Sequence, residues 1–410
     1  MGKENFDIDA FIEDLKRDLD APVAPAAQKN KAENVAIPQE PVVQKKTSSK
    51  PQASKKKNRT LVEKLKMTVA KVALILLETV LLVVIALYGV LFVLAKGPSP
   101  TARDIMVMSV RETSAVGFIA NIFFSDEEIA LIEASKAVEE YVETDTSLIT
   151  IQKNDENVEA SDENEGPVAD AWGLIDEDED GIIIDPVHGD GYSGYMMVVL
   201  DPSRVIVGTV PSSYGECGYT VAEMVEMYDA VAGINGGGFV DTGGNGTGDI
   251  PDSMVVYEGK VYCEKRGPRD GFVGFDDNHI LHVGKMTAED IKEKNIQYGA
   301  SFGPVLISNG VATKVTSGVN PRTAIGQRSD GAILMLVIDG RQVISLGATY
   351  QDLIRIFQEY GAVNACNLDG GSSTLMWYQG DYINNCASVV GIRTVPTTFL
   401  VMKKGGSANE

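Results

Sequence analysis

Three apolar runs in the chain end in Asn or Asp followed by glycine. They lead into Asn235-Gly236-Gly237-Gly238, Asp339-Gly340-Arg341 and Asn367-Leu368-Asp369-Gly370-Gly371-Ser372-Ser373. Glycine admits positive φ and close approach, so backbone N–H groups beside it can face an anion. A carboxylate next to such a turn is able to act as base, nucleophile or charge stabiliser. Any one stretch reads as a hairpin turn; three with the same lead residue point to one site. Arginine supplies a second half: Arg322 in N-P-R-T-A-I-G, Arg341 in D-G-R-Q and Arg393 in G-I-R-T-V-P each flank an apolar strand. A guanidinium takes phosphate oxygens in a bidentate fork that lysine does not reproduce. A surface ion pair is the plain alternative for each.

Other ligand types are poorly placed. His188, His279 and His282 have no metal-ligand spacing, and neither metal nor cofactor is assigned. Asp176 to Asp185 begins like a calcium loop, with Asp at positions one, three and five and Gly at six. Position twelve is Val187, where a bidentate Glu belongs, so the stretch is expected to be the solvated end of a linker.

The elements that must position these residues lie after about Gly181. Short β-branched runs separated by glycine, such as Met196 to Leu200, Val205 to Val210, Met254 to Tyr257, Ala332 to Ile338 and Thr397 to Met402, read as strands. Two helices interrupt them. Thr220 with Glu223 opens one, and Thr349 opens the other, whose apolar stripe is Tyr350, Leu353, Ile354 and Phe357. Each helix leads into a short strand and then a glycine cluster, so one helix–strand–glycine unit is used twice. The class is α+β: a mixed multi-stranded sheet domain with a few packed helices, over residues 181–410.

Charge divides the chain. Residues 1–71 hold 15 Lys+Arg against 10 Asp+Glu, and the remainder 21 against 48. At the division, Val72 to Ala95 is a 24-residue apolar run broken only by Glu78 and Thr79, enough for the ~20 residues that cross a bilayer. Lys55, Lys56, Lys57, Arg59, Lys64, Lys66 and Lys71 precede it and Lys96 alone follows closely. The positive-inside rule then predicts a single-pass cell-membrane protein with a cytoplasmic N-terminus and an extracellular C-terminal domain. The expected order is a disordered basic tail (1–68), a transmembrane helix (69–96), a helical stalk with an acidic linker (97–180) and the sheet domain. So acidic an exterior excludes nucleic acid as a partner. Cys217, Cys263, Cys366 and Cys386 all fall on the outer side, and their pairing stays open among three disulfide patterns or buried thiols.

The pieces I-N-G-G-G-F (234–239), S-F-G-P (301–304), P-R-T-A-I-G (321–326), V-I-D-G-R-Q (337–342) and N-L-D-G-G-S-S-T (367–374) resemble, in order and context, the phosphodiester glycosidase family over about residues 190–403. The chain has Asn-Gly-Gly-Gly-Phe where that family has Asn-Gly-Gly-aromatic. The resemblance implies hydrolysis of a sugar–phosphoryl bond at the anomeric carbon of a phosphate-linked sugar or polysaccharide, in surface-polysaccharide or cell-wall glycan metabolism. The leaving group is already a stable anion, so an arginine clamp replaces a strong general acid, and one carboxylate must still stabilise the oxocarbenium-like transition state or activate water. On that logic Asp369 is the first choice of catalytic carboxylate and Asp339 the second. Arg322 and Arg341, then Arg393, are candidates for the phosphate. Asn235, Gly236, Gly237, Asn367, Gly370, Gly371, Ser372 and Ser373 are candidates for holding sugar hydroxyls and phosphate. The competing class is a non-catalytic glycan- or partner-binding ectodomain of the same fold.

Overall fold

The computed structural model describes residues 61–113, 116–134, 142–151, 168–241, 247–263, 271–388 and 391–405. Almost all of the expected disordered tail lies outside them. By its internal contacts the chain falls into two units, Met1–Ala73 and Leu74–Glu410. In the first, the described residues belong to helix α1 (Leu61–Lys96); its apolar stretch, Lys66–Lys96, is long and apolar enough to cross a membrane.

In the second unit, α2 (Pro100–Arg111), α3 (Ile119–Phe123) and α4 (Asp126–Ala134) follow. Ser99 caps α2 through the Ala102 N–H, and Ser125 with Glu128 closes the expected reciprocal cap on α4. Met106, Val107, Met108, Ala120, Phe124, Ile129 and Ile132 bury together with Leu91 and Ala95 of α1 in a small core of their own.

The strands are β1 (Ile182–Gly189), β2 (Tyr192–Val199), β3 (Val205–Thr209), β4 (Ala230–Asn235), β5 (Val255–Tyr257), β6 (Lys260–Tyr262), β7 (Phe272–Phe275), β8 (Leu281–Gly284) and β9 (Tyr298–Ser301). After them come β10 (Val305–Ser308), β11 (Val311–Ala312), β12 (Arg322–Arg328), β13 (Ile333–Ile338), β14 (Ala362–Asn367), β15 (Met376–Tyr378), β16 (Asp381–Tyr382) and β17 (Thr397–Met402). They form a seven-stranded sheet, β1-β2-β13-β12-β14-β10-β11, and two five-stranded sheets, β16-β15-β4-β17-β3 and β6-β5-β9-β7-β8. Every pairing among the described strands is antiparallel.

The period-two rule explains the layers. In β13, Ile333, Met335 and Val337 face a core shared by all three sheets, while Leu334, Leu336 and Ile338 face the opposite core under helix α7 (Tyr350–Glu359). Both faces are covered, which is why this strand reads as an unbroken apolar run rather than an alternation. Helix α5 (Val221–Met227) covers the outer face of the β4–β17 sheet, and α6 (Ala288–Glu293) that of the third sheet. Gly326 of β12 makes room for α7: a Cβ there would lie 2.8 Å from the Phe357 ring.

Parts of the acidic stretch expected as a solvated linker are docked on the sheet domain, while Val168 and residues 177–179 stay exposed. The fully buried guanidinium of Arg328 pairs with Asp170 at 2.7 Å and Asp330 at 2.6 Å and lies 3.9 Å above Trp172. Asn309 grips residues 143 and 145 by their backbone. No disulfide joins the four cysteines.

Candidate active site

Strand register explains why the three glycine stretches meet. Arg322 opens β12 opposite Ile338, the last residue of β13, so Asp339 and Arg341 leave the sheet beside it. Ala324 pairs with Asn367, the end of β14, so Asp369 emerges on the other flank of β12. In the next sheet Asn235 ends β4 opposite Thr398, and Met376 opens β15 opposite Ile234. The residues just before β17 and β15, Arg393 and Ser372–Ser373, therefore arrive from that side. A cleft of about 570 Å³ opens at these strand ends, large enough for a sugar phosphate.

Asp369, Arg322, Arg341, Arg393, Asn367, Gly370, Gly371, Ser372 and Ser373 line it. The backbone of Asp369 is fixed from both sides: its N–H donates to the Gly236 carbonyl at 3.1 Å, and its carbonyl accepts from Asn235 Nδ2 at 2.6 Å. Asn367 donates from Nδ2 to the Gly303 carbonyl at 2.9 Å, while its buried Oδ1 has no donor among the described residues. Gly371 has φ +63°, and a Cβ there would lie 3.2 Å from Arg341 Nη2, so glycine lets the turn run beside the guanidinium.

The other four expected residues do not line the cleft. Asn235 is fully buried: its Oδ1 accepts from Thr323 Oγ1 and the Leu375 N–H while its amide holds the Asp369 carbonyl. It positions Asp369 rather than touching a sugar. The Gly236 and Gly237 N–H groups donate to the Thr397 carbonyl and Thr397 Oγ1, so they do not cradle an anion; a Cβ would press Gly236 on Thr397 of β17 and Gly237 on Ala300 and Ser301 of β9. Asp339 is 4 % exposed and accepts from Asn384 Nδ2, the Asn385 N–H and Asn385 Nδ2 at 2.8–3.1 Å. It ties the loop after β16 to the end of β13. Replacing it with Ala strands three donors, and we expect Asp339→Ala to lower the unfolding free energy by about 3 kcal/mol, read as a fall in denaturant midpoint at unchanged slope.

The three arginines differ in their partners. Arg322 is buried, donates to the Ala348 and Gly318 carbonyls, pairs with Glu112 at 2.8 Å, and lies 4.4 Å above the Tyr350 ring. Arg393 pairs with Asp241 at 2.9 Å over Phe239. Arg341 has no carboxylate partner among the described residues; its Nη2 donates to Thr113 Oγ1 at 3.1 Å. Protein packed around this guanidinium, and then the Arg322 charge, lower its pKa from the ordinary arginine value. Its backbone φ is +58°, an unusual conformation for a non-glycine residue.

Sequence reasoning missed Glu112 and Thr113, which lie at the end of α2, far upstream of the sheet domain. Glu112 caps the arginine site: Oε2 accepts from Arg322 and from Asn320 Nδ2 at 3.0 Å, and Oε1 from the Gly318 N–H. Gly318 permits the approach, since a Cβ there would lie 2.2 Å from the Ser109 backbone nitrogen. Nothing in the string R-E-T signals this, because the contact spans about 210 residues of chain. Tyr350 packs against the same core as the rest of the α7 stripe, as expected, and also carries the Arg322 guanidinium over its ring.

Away from the cleft, Asp176, Asp178 and Asp180 bring carboxylate oxygens within 4.8 Å of one another. Val187, in the twelfth position of that loop, lies buried in β1.

A family model described as phosphodiester glycosidase matches residues 228–402. A prophage-derived uncharacterised protein of Bacillus subtilis is 30 % identical over 209 residues, which are 48 % of this chain and 31 % of that protein. The N-acetylglucosamine-1-phosphodiester alpha-N-acetylglucosaminidase of Mus musculus is 23 % identical over 218 residues, 47 % of this chain and 41 % of that one. The chain thus spans less than half the length of either relative. Among solved structures, the catalytic domain of the zebrafish N-acetylglucosamine-1-phosphodiester alpha-N-acetylglucosaminidase, auto-inhibited by its pro-peptide, aligns with TM-score 0.45 at 19 % identity, covering 54 % of this chain and 82 % of that one.

Proposed function

We propose that this chain, whose residues 228–402 form a domain of the phosphodiester glycosidase family, is a membrane-anchored extracellular hydrolase that cleaves the glycosidic bond of a sugar-1-phosphodiester in surface polysaccharide or cell-wall glycan metabolism. The observation that carries this reading is Arg341: a cleft-lining guanidinium beside a second one, with no carboxylate partner among the described residues. Such a pair leaves a positive field that a phosphodiester and the departing phosphate monoester both satisfy.

In the reaction, water adds to the anomeric carbon while the bond from that carbon to the phosphoryl oxygen breaks. The electron pair leaves with the phosphate, and Arg341 and Arg322 hold the charge it gains. Asp369 stands at the opposite role, stabilising positive charge on the sugar ring or taking the proton of water. The test is to give the full chain a sugar-1-phosphodiester and assay free reducing sugar and phosphate monoester together. Both must appear in equal amounts; binding without turnover would leave a non-catalytic ectodomain.

Two further expectations follow. Glu112 neutralises part of the arginine field, so Glu112→Gln is expected to tighten competitive inhibition by inorganic phosphate about tenfold, the size of one unit charge removed roughly 10 Å away at intermediate dielectric. The inhibition constant of the two proteins measured side by side decides it, and an unchanged constant would place the phosphate elsewhere. The span and its basic flank motivate the topology. Protease added to intact cells is expected to remove the domain after Lys96 and spare the N-terminal tail; the reverse digestion pattern would invert the protein.

A further inference from the structure

The stretch Lys66–Lys96 has 31 residues, about 46 Å at 1.5 Å each, against a hydrocarbon core of about 30 Å. Some of it must therefore lie outside the core. At its outer end Leu91 and Ala95 are packed by the α2–α4 cluster rather than left bare, so this is the end that emerges. The packing reaches back down the helix: the Phe123 ring of α3 meets Tyr88 at 5.6 Å, and Phe124 lies under the Lys96 ammonium at 4.4 Å. Tyr88 in turn stacks on Phe92 at 6.4 Å.

Beside these rings α3 exposes more apolar surface. Phe118 is 65 % and Ile122 55 % exposed, as open as the flanking span residues. Tyrosine is enriched at the headgroup boundary, and helices lying in that boundary turn Phe and other apolar residues toward the lipid.

We infer that α3 and the turn before it are seated in the bilayer, with Phe118 and Ile122 among the lipids at the level of Tyr88 and Phe92, and that this contact holds the arginine cleft at the membrane surface. The occupant of the apolar face is lipid, because the face continues that of the span. The consequence for the cleft is geometric. Six residue steps separate Glu112, which pairs with Arg322, from Phe118, so they are at most about 20 Å apart, and the hydrogen bonds from Val116 and Gly117 to the Thr113 carbonyl draw them closer. A second apolar loop lies beside the cleft, where Val343 and Ile344 follow Arg341 with 99 % and 80 % exposure. The phosphodiesters within reach are then those held at the membrane surface.

The inference rests on the reading of α1 as a membrane span, and the experiment separates the two. The full chain and four variants, Phe118→Trp, Ile122→Trp, Leu82→Trp and Val311→Trp, are reconstituted into phosphatidylcholine vesicles whose acyl chains carry bromine either near the headgroup or near the methyl end. Emission is taken as the difference from the unsubstituted chain, which has only Trp172 and Trp377. Leu82→Trp reports the span and Val311→Trp, exposed on the β10–β11 hairpin, reports water. The expected result is at least twofold quenching of Phe118→Trp and Ile122→Trp by the shallow bromines, with Leu82→Trp quenched by the deep ones. If Leu82→Trp is quenched and the α3 variants behave like Val311→Trp, the span stands and the inference is overturned. Blue-shifted, unquenched emission from the α3 variants would show a protein covering that face, a second copy included, and overturns it equally. If Leu82→Trp also escapes quenching, the span reading fails and the inference falls with it.

Discussion

Asp369→Asn is expected to keep the fold and lose turnover by about 10³-fold or more, some 4 kcal/mol of transition-state stabilisation. The fold should survive because the position is held through the backbone. The Asp369 N–H and carbonyl are taken by Gly236 and Asn235, and neither contact involves the carboxylate. An amide is nearly isosteric and is itself favoured beside glycine. The chemistry should not survive, because an amide neither carries charge for an oxocarbenium-like sugar nor accepts a proton from water. Melting temperature and turnover on one preparation decide the matter. A folded Asp369→Asn protein with near-normal turnover would reduce this residue to a turn. Asp339, both of whose oxygens are bonded to the loop after β16, is poorly placed to take over.

What the sequence made legible follows from how local each signal is. The capping boxes at Thr220 and Thr349 and the unbroken run of β13 are decided within a few residues, and all formed where the pattern put them. The convergence of the glycine stretches was legible because each follows an apolar strand: β13 and β14 deliver their ends to one edge of one sheet, and β4 brings its end from the next sheet. Which members of a stretch reach the cleft was not. Asn235 and Asn367 both end a strand after a helix, yet one is spent inside the protein and the other lines the cleft. The difference lies in distant partners: Thr323 of the neighbouring sheet and Leu375, just before β15 of its own sheet, close over Asn235, contacts made across 88 and 140 residues. Glu112 was invisible for the same reason. Its role is set by Gly318 and Asn320, about 200 residues on, and no pattern around residue 112 encodes them.

The structure also divides two arginines that the sequence treats alike. Arg341→Lys is expected to cut kcat/KM by about 10²-fold, near 2.7 kcal/mol, with stability unchanged or raised. Lysine keeps the charge and loses the fork that matches two phosphate oxygens. It also relieves a guanidinium whose pKa is depressed by surrounding protein and by Arg322, which is why stability should not fall. Arg322→Lys should behave differently. Its guanidinium joins Glu112, the Gly318 and Ala348 carbonyls and the Tyr350 face, and an ammonium cannot meet all of them from one position. Its first effect is therefore on stability, through weaker docking of the α2 end onto the loop at Gly318, with loss of a buried pair's geometry worth a few kcal/mol. Thermal unfolding and kcat/KM for both variants give a crossed pattern: Arg341→Lys slow but stable, Arg322→Lys unstable. Arg341→Lys within twofold of the unsubstituted protein would remove Arg341 from the proposed phosphate site. The bare charge beside Gly371 would then have to answer to a different anion.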